Sequence, residues 1–198
     1  MRNFEAKLKI HSFVNSSFVN GPGKRFVLWT QGCTKKCKNC FNPLTWDKNG
    51  KEYSVLELFE IIKRSNVDGI TLTGGDPLEQ PDELLSLLLL LEDLNLSKGI
   101  ILFTGFTIEE IERIGNSTLE CLRYVDLLID GRYIDELYIN DGLRGSSNQN
   151  FYYFSDKLKE EEIKIDHEIE IGFNDGLFVT GFPHIDRKIL KQFGIIMK

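Results

Sequence analysis

The chain has 198 residues, of which 41% are hydrophobic and 27% are charged. This length suits one domain or little more, and the hydrophobic fraction is enough to build a core. Glycine and proline occur in ordinary numbers, 17 and 5, which excludes a collagen-like or disordered chain. The longest apolar run, Leu87 to Leu91, is far shorter than the roughly 18 residues that a membrane-spanning helix needs.

The first residues lack the apolar segment of a signal peptide, so we expect a soluble, cytoplasmic protein. In a reducing compartment, four cysteines are not expected to form a disulfide framework. Charge is spread unevenly, because residues 1–50 carry nine Lys or Arg and two Asp or Glu, whereas residues 51–198 carry 15 and 28. The net charge of −6 argues against a dedicated nucleic-acid-binding protein.

The first predicted element is a strand from Phe4 to Phe13, where apolar and polar residues alternate. A glycine- and proline-rich loop separates it from a buried strand, Phe26 to Trp29. A loop with three cysteines follows. Ser54, with Glu57 three residues later, forms a capping-box pattern that predicts a helix over residues 55–64.

Short β-rich segments and helical patterns then alternate. The segments Gly69 to Thr73 and Gly99 to Phe103 predict strands, and an apolar helix from Pro81 to about Leu94 lies between them. Thr107 with Glu110 predicts the start of another helix. This alternation predicts an α/β fold with βαβ units around a parallel sheet.

Val125 to Ile129 is the fourth buried strand of the predicted sheet. Right-handed crossovers bring the carboxyl ends of the four strands to one edge, where parallel α/β sheets bind their ligands. The residues at those ends are therefore candidate site residues: Cys33; Gly74, Gly75 and Asp76; Thr104 and Gly105; Asp130 and Gly131.

The tail has a different pattern. Residues 168–171 and 177–180 flank an Asn-Asp-Gly turn and predict a β-hairpin. A last helix is predicted from Asp186 to Phe193. We expect one domain over residues 1–154 and a C-terminal extension, residues 155–198, packed on the same domain.

Cys33, Cys37 and Cys40 form the pattern C-x3-C-x2-C. Three thiolates are one ligand short of a closed tetrahedral zinc site, and they leave one metal position open for a substrate. The same set suits a 4Fe–4S cluster whose fourth iron is free. The alternatives are thiols that bind nothing, or a zinc site completed by a distant histidine, namely His11, His167 or His184.

The fourth cysteine, Cys121, falls in a predicted helix and is expected to be a small buried apolar residue. Lys35, Lys36 and Lys38 are interleaved with the other three cysteines. These lysines either face an anionic cluster, ligand or electron donor, or are ordinary solvated side chains.

Gly74 to Pro77 follows a predicted strand directly. Two glycines let a ligand approach the backbone closely, and the carboxylate of Asp76 can accept from an ammonium group. By itself the motif is also compatible with a plain turn. Together with C-x3-C-x2-C it resembles the radical S-adenosylmethionine superfamily, in which a similar Gly-Gly-Glu turn binds the amino group of S-adenosylmethionine.

Further motifs resemble one family, the activating proteins of anaerobic ribonucleoside-triphosphate reductases. In order, they are Val19 to Arg25, Gln31 to Cys33, Cys40 to Pro43 with Thr45 and Trp46, Gly74 to Leu78, Thr104 to Thr107, Asp130 with Gly131, and Arg144 to Gln149. Two features depart from that family. Asn39 precedes the third cysteine where glycine is usual, and the tail after about Phe154 is longer than in the shortest members.

The resemblance implies an incomplete parallel (β/α) barrel of the radical S-adenosylmethionine type. It implies one 4Fe–4S cluster per chain, held by Cys33, Cys37 and Cys40, with S-adenosylmethionine at the free iron. Reductive cleavage would give methionine and a 5′-deoxyadenosyl radical, which would abstract a glycine Cα hydrogen from the reductase.

The resemblance also implies site residues. Cofactor contacts are expected at Asn39, Phe41, Gly74, Gly75 and Asp76, and further along the chain at Thr104, Asp130 and Arg132. The last three are equally compatible with turn residues and a solvated arginine. A role at the mouth of the site or the reductase-docking face is implied for Arg144, Ser146, Ser147, Asn148 and Gln149, and the alternative is a surface turn.

The implied partners are the reductase, as protein substrate, and a small electron donor such as flavodoxin or ferredoxin. Neither nucleic acid nor a membrane is expected as a partner. One alternative is a radical S-adenosylmethionine enzyme that modifies another glycyl-radical enzyme, a peptide or a small molecule. A non-enzymatic alternative is an iron–sulfur electron-transfer module, which leaves Gly74 to Pro77 unexplained.

Overall fold

The computed structural model describes residues 3–163, 169–173, 177–181 and 196–197. Its strands are β1 (Lys7–Ser17), β2 (Arg25–Thr30), β3 (Lys51–Ser54), β4 (Gly69–Gly74), β5 (Ile100–Phe103), β6 (Leu127–Asp130), β7 (Tyr138–Asp141), β8 (Arg144–Ser146), β9 (Asn150–Tyr153), β10 (Ile169–Phe173), β11 (Leu177–Gly181) and β12 (Ile196–Met197). Its α-helices are α1 (Val55–Ser65), α2 (Pro81–Leu91), α3 (Ile108–Ile114), α4 (Asn116–Glu120) and α5 (Glu160–Ile163).

Seven strands form one sheet in the order β3-β1-β2-β4-β5-β6-β9. The four central strands β2, β4, β5 and β6 run parallel, and β1 and β9 flank them antiparallel. β3 and β9 stand at the two edges, so this sheet is open rather than a closed barrel. The predicted α/β class, with a parallel sheet that does not close, is confirmed.

Both faces of the parallel strands are covered, which explains their nearly continuous apolar sequences. Along β5, Ile100 and Leu102 belong to the main core cluster, which α1 and α2 supply with buried leucines and isoleucines. Ile101 between them belongs to a second cluster on the other face, with Leu143 and Ile163. The strand period of two therefore divides one apolar run between two cores.

The helix starts follow the predicted caps. Ser54 begins α1 and Thr107 begins α3, and each makes the full capping box with the glutamate three residues later. The helix α2 ends at Leu91, before the predicted Leu94, because the chain turns at the poor helix former Asp93. Cys121 starts a 3-10 turn after α4 and is fully buried, as expected.

The first strand begins at Lys7, later than predicted, since Asn3 holds the preceding residues in a turn. In the tail, β10 and β11 pair antiparallel, which confirms the strands of the predicted hairpin. Its turn and the predicted helix Asp186 to Phe193 lie outside the described residues. The predicted boundary at residue 154, between the domain and its C-terminal extension, stays a prediction. In the described part of the chain, every helix is too short or too polar to cross a bilayer.

Arg25 is fully buried at the amino-terminal edge of the parallel strands. Its Nε donates to the hydroxyl of Thr71 at 2.7 Å. Burial lowers the pKa of its guanidinium to about 9, opposed by Asp126 and Asp68, so it remains charged at neutral pH. The other guanidinium nitrogens donate to four backbone carbonyls, those of Pro22, Ile70, Lys98 and Gly99.

We expect Arg25→Met to lower the free energy of unfolding by on the order of 3 kcal/mol or more, because several buried carbonyls lose their donor. Urea unfolding followed by circular dichroism measures this. Arg64→Met is the matched control, since the Arg64 side chain is 79% exposed, and it should change stability by less than about 0.5 kcal/mol. Equal stability of the two variants would contradict the assigned role of Arg25.

Candidate functional site

The three cysteines lie on the loop that follows β2, at the carboxyl edge of the parallel strands. Cys33 N donates to Trp46 O at 3.3 Å, which helps to close the loop on itself. Cys40 N donates to Cys37 O at 3.1 Å, and this turn places Asn39 at a left-handed φ of 54°. All three cysteines are partly exposed.

The electrostatics of the loop disfavour free thiolates at Cys33 and Cys37. Burial raises the pKa of Cys33 to about 11 and also raises that of Cys37, and the charge of Cys40 contributes to both shifts. These thiols therefore stay protonated at neutral pH unless a metal displaces the proton.

Three neighbouring, partly exposed sulfurs fit an iron–sulfur cubane, which distributes three cysteines over three irons and leaves the fourth free. Within the described ranges, no three His, Cys, Asp or Glu side chains converge as ligands of one metal ion.

The ends of β2 and β4 pack closely against each other. A Cβ at Gly74, where φ is +113°, would lie 2.4 Å from Thr30 N, and one at Gly75 would lie 2.3 Å from Gly32 O. Gly75 N donates to Thr30 O at 2.9 Å. We predicted that these two glycines let a ligand approach the backbone closely. In the structure, the backbone of Thr30 and Gly32 in the same chain makes the close approach. Their contact with a cofactor stays a prediction.

Asp76 is fully buried directly after β4. Its Oδ1 accepts from Leu78 N at 3.1 Å and from the Thr104 hydroxyl at 2.8 Å, and its Oδ2 accepts from Gly105 N at 2.9 Å. Burial raises the pKa of this carboxyl to about 6, against the effect of the three hydrogen bonds. In this conformation the carboxylate joins the ends of β4 and β5, and its predicted contact with a ligand ammonium is untested.

A cavity of about 160 Å³ opens at this edge, beside the third cysteine and the end of β4. The cysteine loop, the strand ends, the β8–β9 connection and the C-terminal hairpin all contribute to its wall. The lining residues are Asn20, Trp29, Cys40, Phe41, Asn42, Thr73, Gly74, Phe103, Tyr133, Leu143, Gly145, Gln149 and Gly181. A larger cavity, about 750 Å³, lies between α2 and the start of β6, and none of the predicted site residues is among those that line it.

The cysteine loop is tied to the segment that follows β6. Asn39 Nδ2 donates to Asp135 Oδ2 at 2.7 Å, and the Phe41 ring meets the Tyr133 ring edge-on with centroids 5.3 Å apart. The sequence analysis did not predict Tyr133 as a site residue. Its position two residues after Gly131, close to a strand end, could have indicated it.

Two of the three loop lysines have partners within the protein. Lys38 Nζ lies 2.6 Å from Glu136 Oε1, and this ion pair is exposed. Lys35 Nζ lies 3.1 Å from the centroid of the Phe106 ring, a cation–π contact. Lys36 is exposed. The predicted anionic partner is therefore best tested at Lys36.

Thr104, Asp130 and Arg132 do not line the cavity. Asp130 is buried, where its carboxylate accepts from Ile108 N at 2.9 Å and Asn150 N at 3.1 Å, so it anchors α3 and β9. Thr104 donates to Asp76, as described above. Arg132 is exposed. In the structure, Thr104 and Asp130 therefore hold the strand ends in place. Contact of Thr104, Asp130 or Arg132 with a ligand stays a prediction.

In the Arg144 to Gln149 segment, Gln149 lines the cavity. Its Oε1 accepts from Gly145 N at 2.9 Å and Ser146 N at 3.2 Å, and its Nε2 donates to Gly131 O at 2.9 Å. Arg144 Nη1 donates to Gln149 O at 3.3 Å. The side chain of Gln149 thus orders the segment at the cavity.

The other three predicted residues of this segment lie around that turn. Ser146 is buried and its hydroxyl accepts from Ile134 N at 3.2 Å. Asn148 Nδ2 donates to Arg132 O at 2.8 Å, and Ser147 is exposed. Their predicted contact with a partner is untested.

Comparison with known proteins agrees with this site. The family model described as a 4Fe-4S single cluster domain matches residues 19–152. The fold and the cysteine loop thus define an α/β protein with an iron–sulfur cluster domain. A solved structure, QueE from Escherichia coli, aligns with a TM-score of 0.42 and 20% identity over 52% of this chain and 55% of that chain.

Two relatives carry the name anaerobic ribonucleoside-triphosphate reductase-activating protein. The one from Enterobacteria phage T4 is 40% identical over 145 residues, which cover 70% of this chain and 90% of that protein. The one from Vibrio cholerae is 35% identical over 159 residues, covering 75% and 99%. The chain belongs to the family of anaerobic ribonucleoside-triphosphate reductase-activating proteins.

We expect the carboxyl of Asp76 to make stability depend on pH. Its pKa is 3.8 when unperturbed and about 6 in the folded protein. Between these two pH values the folded state binds a proton that the unfolded state has lost, so the free energy of unfolding falls as pH rises. Between pH 5 and 7, wild type should lose about 1 kcal/mol relative to Asp76→Asn, which cannot titrate. Urea unfolding of both metal-free proteins at each pH measures the difference, and a constant difference would contradict the shifted pKa.

Proposed function

We propose that this chain is a radical S-adenosylmethionine activase that generates a glycyl radical on an anaerobic ribonucleoside-triphosphate reductase. One observation carries the proposal. The cysteine loop, the Gly-Gly-Asp end of β4 and a cavity meet at the carboxyl edge of the parallel strands. The membership of the chain in the activating-protein family supports the identity of the substrate.

The residues of the chain bind, orient and shield the reacting groups. Cys33, Cys37 and Cys40 hold the 4Fe–4S cluster, and the open iron position is left for S-adenosylmethionine. When bound, the two cofactors supply one-electron reductive cleavage and the radical that removes a glycine Cα hydrogen. Phe41 and Gly74 line the space next to Cys40, where bound S-adenosylmethionine would lie.

Part of the wall of that space is apolar. Trp29, Phe103 and Leu143 line the cavity, and exclusion of water prevents side reactions of a reactive intermediate. Behind them, Asp76 fixes the ends of β4 and β5, so that the walls hold their positions. The protein supplies binding and positioning while the cofactors carry the chemistry.

We propose that the cysteine loop moves outward when S-adenosylmethionine binds. Pockets for ligands of this size measure roughly 300–1,000 Å³, and the present cavity is about 160 Å³. The contacts from Lys38 to Glu136 and from Asn39 to Asp135 hold the loop closed, and both are exposed. Exposed pairs of this kind contribute little to stability, so a ligand can displace them at small cost.

The proposed partners are the reductase and a small acidic electron donor such as flavodoxin or ferredoxin, in the cytoplasm. Exposed Lys36 and the positive balance of residues 1–50 support an acidic donor at the cluster loop. A simple electron-transfer role would leave the cavity beside Cys40 without a use. Action on a different glycyl-radical enzyme, a peptide or a small molecule is the remaining alternative, and the reductase assay below tests it.

Anaerobic reconstitution should give about four irons and four sulfides per chain, with absorbance lost in air. We expect Cys33→Ala, Cys37→Ala and Cys40→Ala each to abolish the cluster, since each sulfur is one of only three ligands. Cys121→Ala is the control and should retain it, because Cys121 is buried beside Pro81, away from the loop. Iron and sulfide analysis measures this, and stoichiometric zinc without sulfide would overturn the proposal.

With reductant and S-adenosylmethionine, the reconstituted chain should release 5′-deoxyadenosine and give a glycyl-radical signal by electron paramagnetic resonance when the reductase is added. A reductase in which the radical-bearing glycine is replaced by alanine is the matched control and should give no signal. Release of 5′-deoxyadenosine with no radical on the wild-type reductase would favour another substrate. No 5′-deoxyadenosine from a cluster-loaded protein would reject the radical S-adenosylmethionine assignment.

A further inference from the structure

The C-terminal hairpin reaches the cavity. Gly181, the last residue of β11, lines it together with Asn20, Cys40 and Gly74. The family model ends at residue 152, so the hairpin lies beyond the matched domain. Part of the wall of the site is therefore built from a segment outside the family model.

A buried hydrogen bond fixes this strand at the cavity. Asn20 Nδ2 donates to Thr180 Oγ1 at 3.0 Å and to Ser17 Oγ at 2.8 Å. Thr180 is fully buried, Asn20 is 6% exposed and the adjacent Val179 is 1% exposed. Since an unsatisfied buried amide is costly, this contact holds the end of β11 in one place.

The anchor continues into the main sheet. Asn20 O accepts from the Thr71 hydroxyl at 2.7 Å, and that hydroxyl accepts from Arg25 Nε at 2.7 Å. On the other strand of the hairpin, Glu170 Oε1 accepts from Phe18 N at 2.9 Å. The hairpin is thus held at two points, both on the segment that joins β1 to β2.

The residue by which the hairpin lines the cavity is the glycine at the end of β11. Gly181 has a φ of +109°, a conformation that favours glycine, and no side chain projects from it. At this position the hairpin therefore adds backbone and no side chain to the wall. Under the proposed function, the segment that this wall meets is the glycine-bearing segment of the protein substrate.

We infer that the hairpin β10–β11 is a positioning wall of the substrate cavity, in which Thr180 anchors the strand and Gly181 faces the glycine segment of the protein substrate. This inference deepens the proposed function and rests on it. A correctly held glycine couples each S-adenosylmethionine cleavage to one hydrogen abstraction. A displaced wall lets the glycine sit too far away, so cleavage proceeds without transfer to the substrate.

Thr180→Val tests the wall, because valine keeps the shape of threonine and removes the acceptor for Asn20 Nδ2. In the metal-free protein, hydrogen exchange at the β11 amides should be about tenfold faster than in wild type. With the reductase, the ratio of 5′-deoxyadenosine released to glycyl radical formed should rise severalfold. Thr180→Ser keeps the hydroxyl and should restore the wild-type values of both measurements.

Ile171→Thr is the second control, since Ile171 lies on the same hairpin with 62% exposure, and it should match wild type. Faster exchange in Thr180→Val with an unchanged ratio would show that the hairpin does not position the substrate. Unchanged exchange would overturn the anchor itself. If wild type forms no radical on the reductase, the proposed function fails instead, and the exchange measurement still tests the anchor.

Discussion

The close packing of the end of β4 against the end of β2 is the constraint on which the site depends. Gly74 and Gly75 have no Cβ, and any other residue there would collide with Thr30 or Gly32. The cysteine loop starts at Gly32, so this packing sets where the predicted cluster ligands lie relative to β4. Asp76 extends the same arrangement to β5 through Thr104. One backbone contact and one carboxylate therefore position three strand ends.

Buried carboxylates join neighbouring strands at three places in the main sheet. Asp76 accepts from Gly105 N, and Asp130 accepts from Asn150 N. At the opposite edge, Asp126 Oδ2 accepts from Ile100 N at 2.7 Å. Each supplies an acceptor to a backbone N–H that the sheet ladder leaves without one. At Asp76 these hydrogen bonds offset part of the desolvation cost, and burial still raises the pKa of that carboxyl to about 6.

Local signals in the sequence predicted the parallel strands and the helices α1 to α3, but not the short strands β3, β7, β8 and β9. The cluster ligands stay a prediction. Ser54 and Thr107 cap their helices as predicted, because a capping box is complete within four residues. Local signals do not predict which donors a carboxylate at a strand end will bind, since these donors lie far along the chain. Thr104 is 28 residues from Asp76, so its hydroxyl could not be assigned to that carboxylate in advance. The contact from Asn20 to Thr180 spans 160 residues and is equally invisible to local patterns.

That long contact changes how the tail relates to the site. From Arg25 the hydrogen bonds run through Thr71 and Asn20 to Thr180, so the charge buried in the sheet and the hairpin share one network. Its members are buried, and partial loss of a buried network costs more than loss of an exposed contact. By contrast, the exposed contacts from Asn39 and Lys38 that close the cysteine loop are weak. The hairpin side of the cavity is thus held by buried hydrogen bonds, whereas the cysteine-loop side is held by exposed contacts.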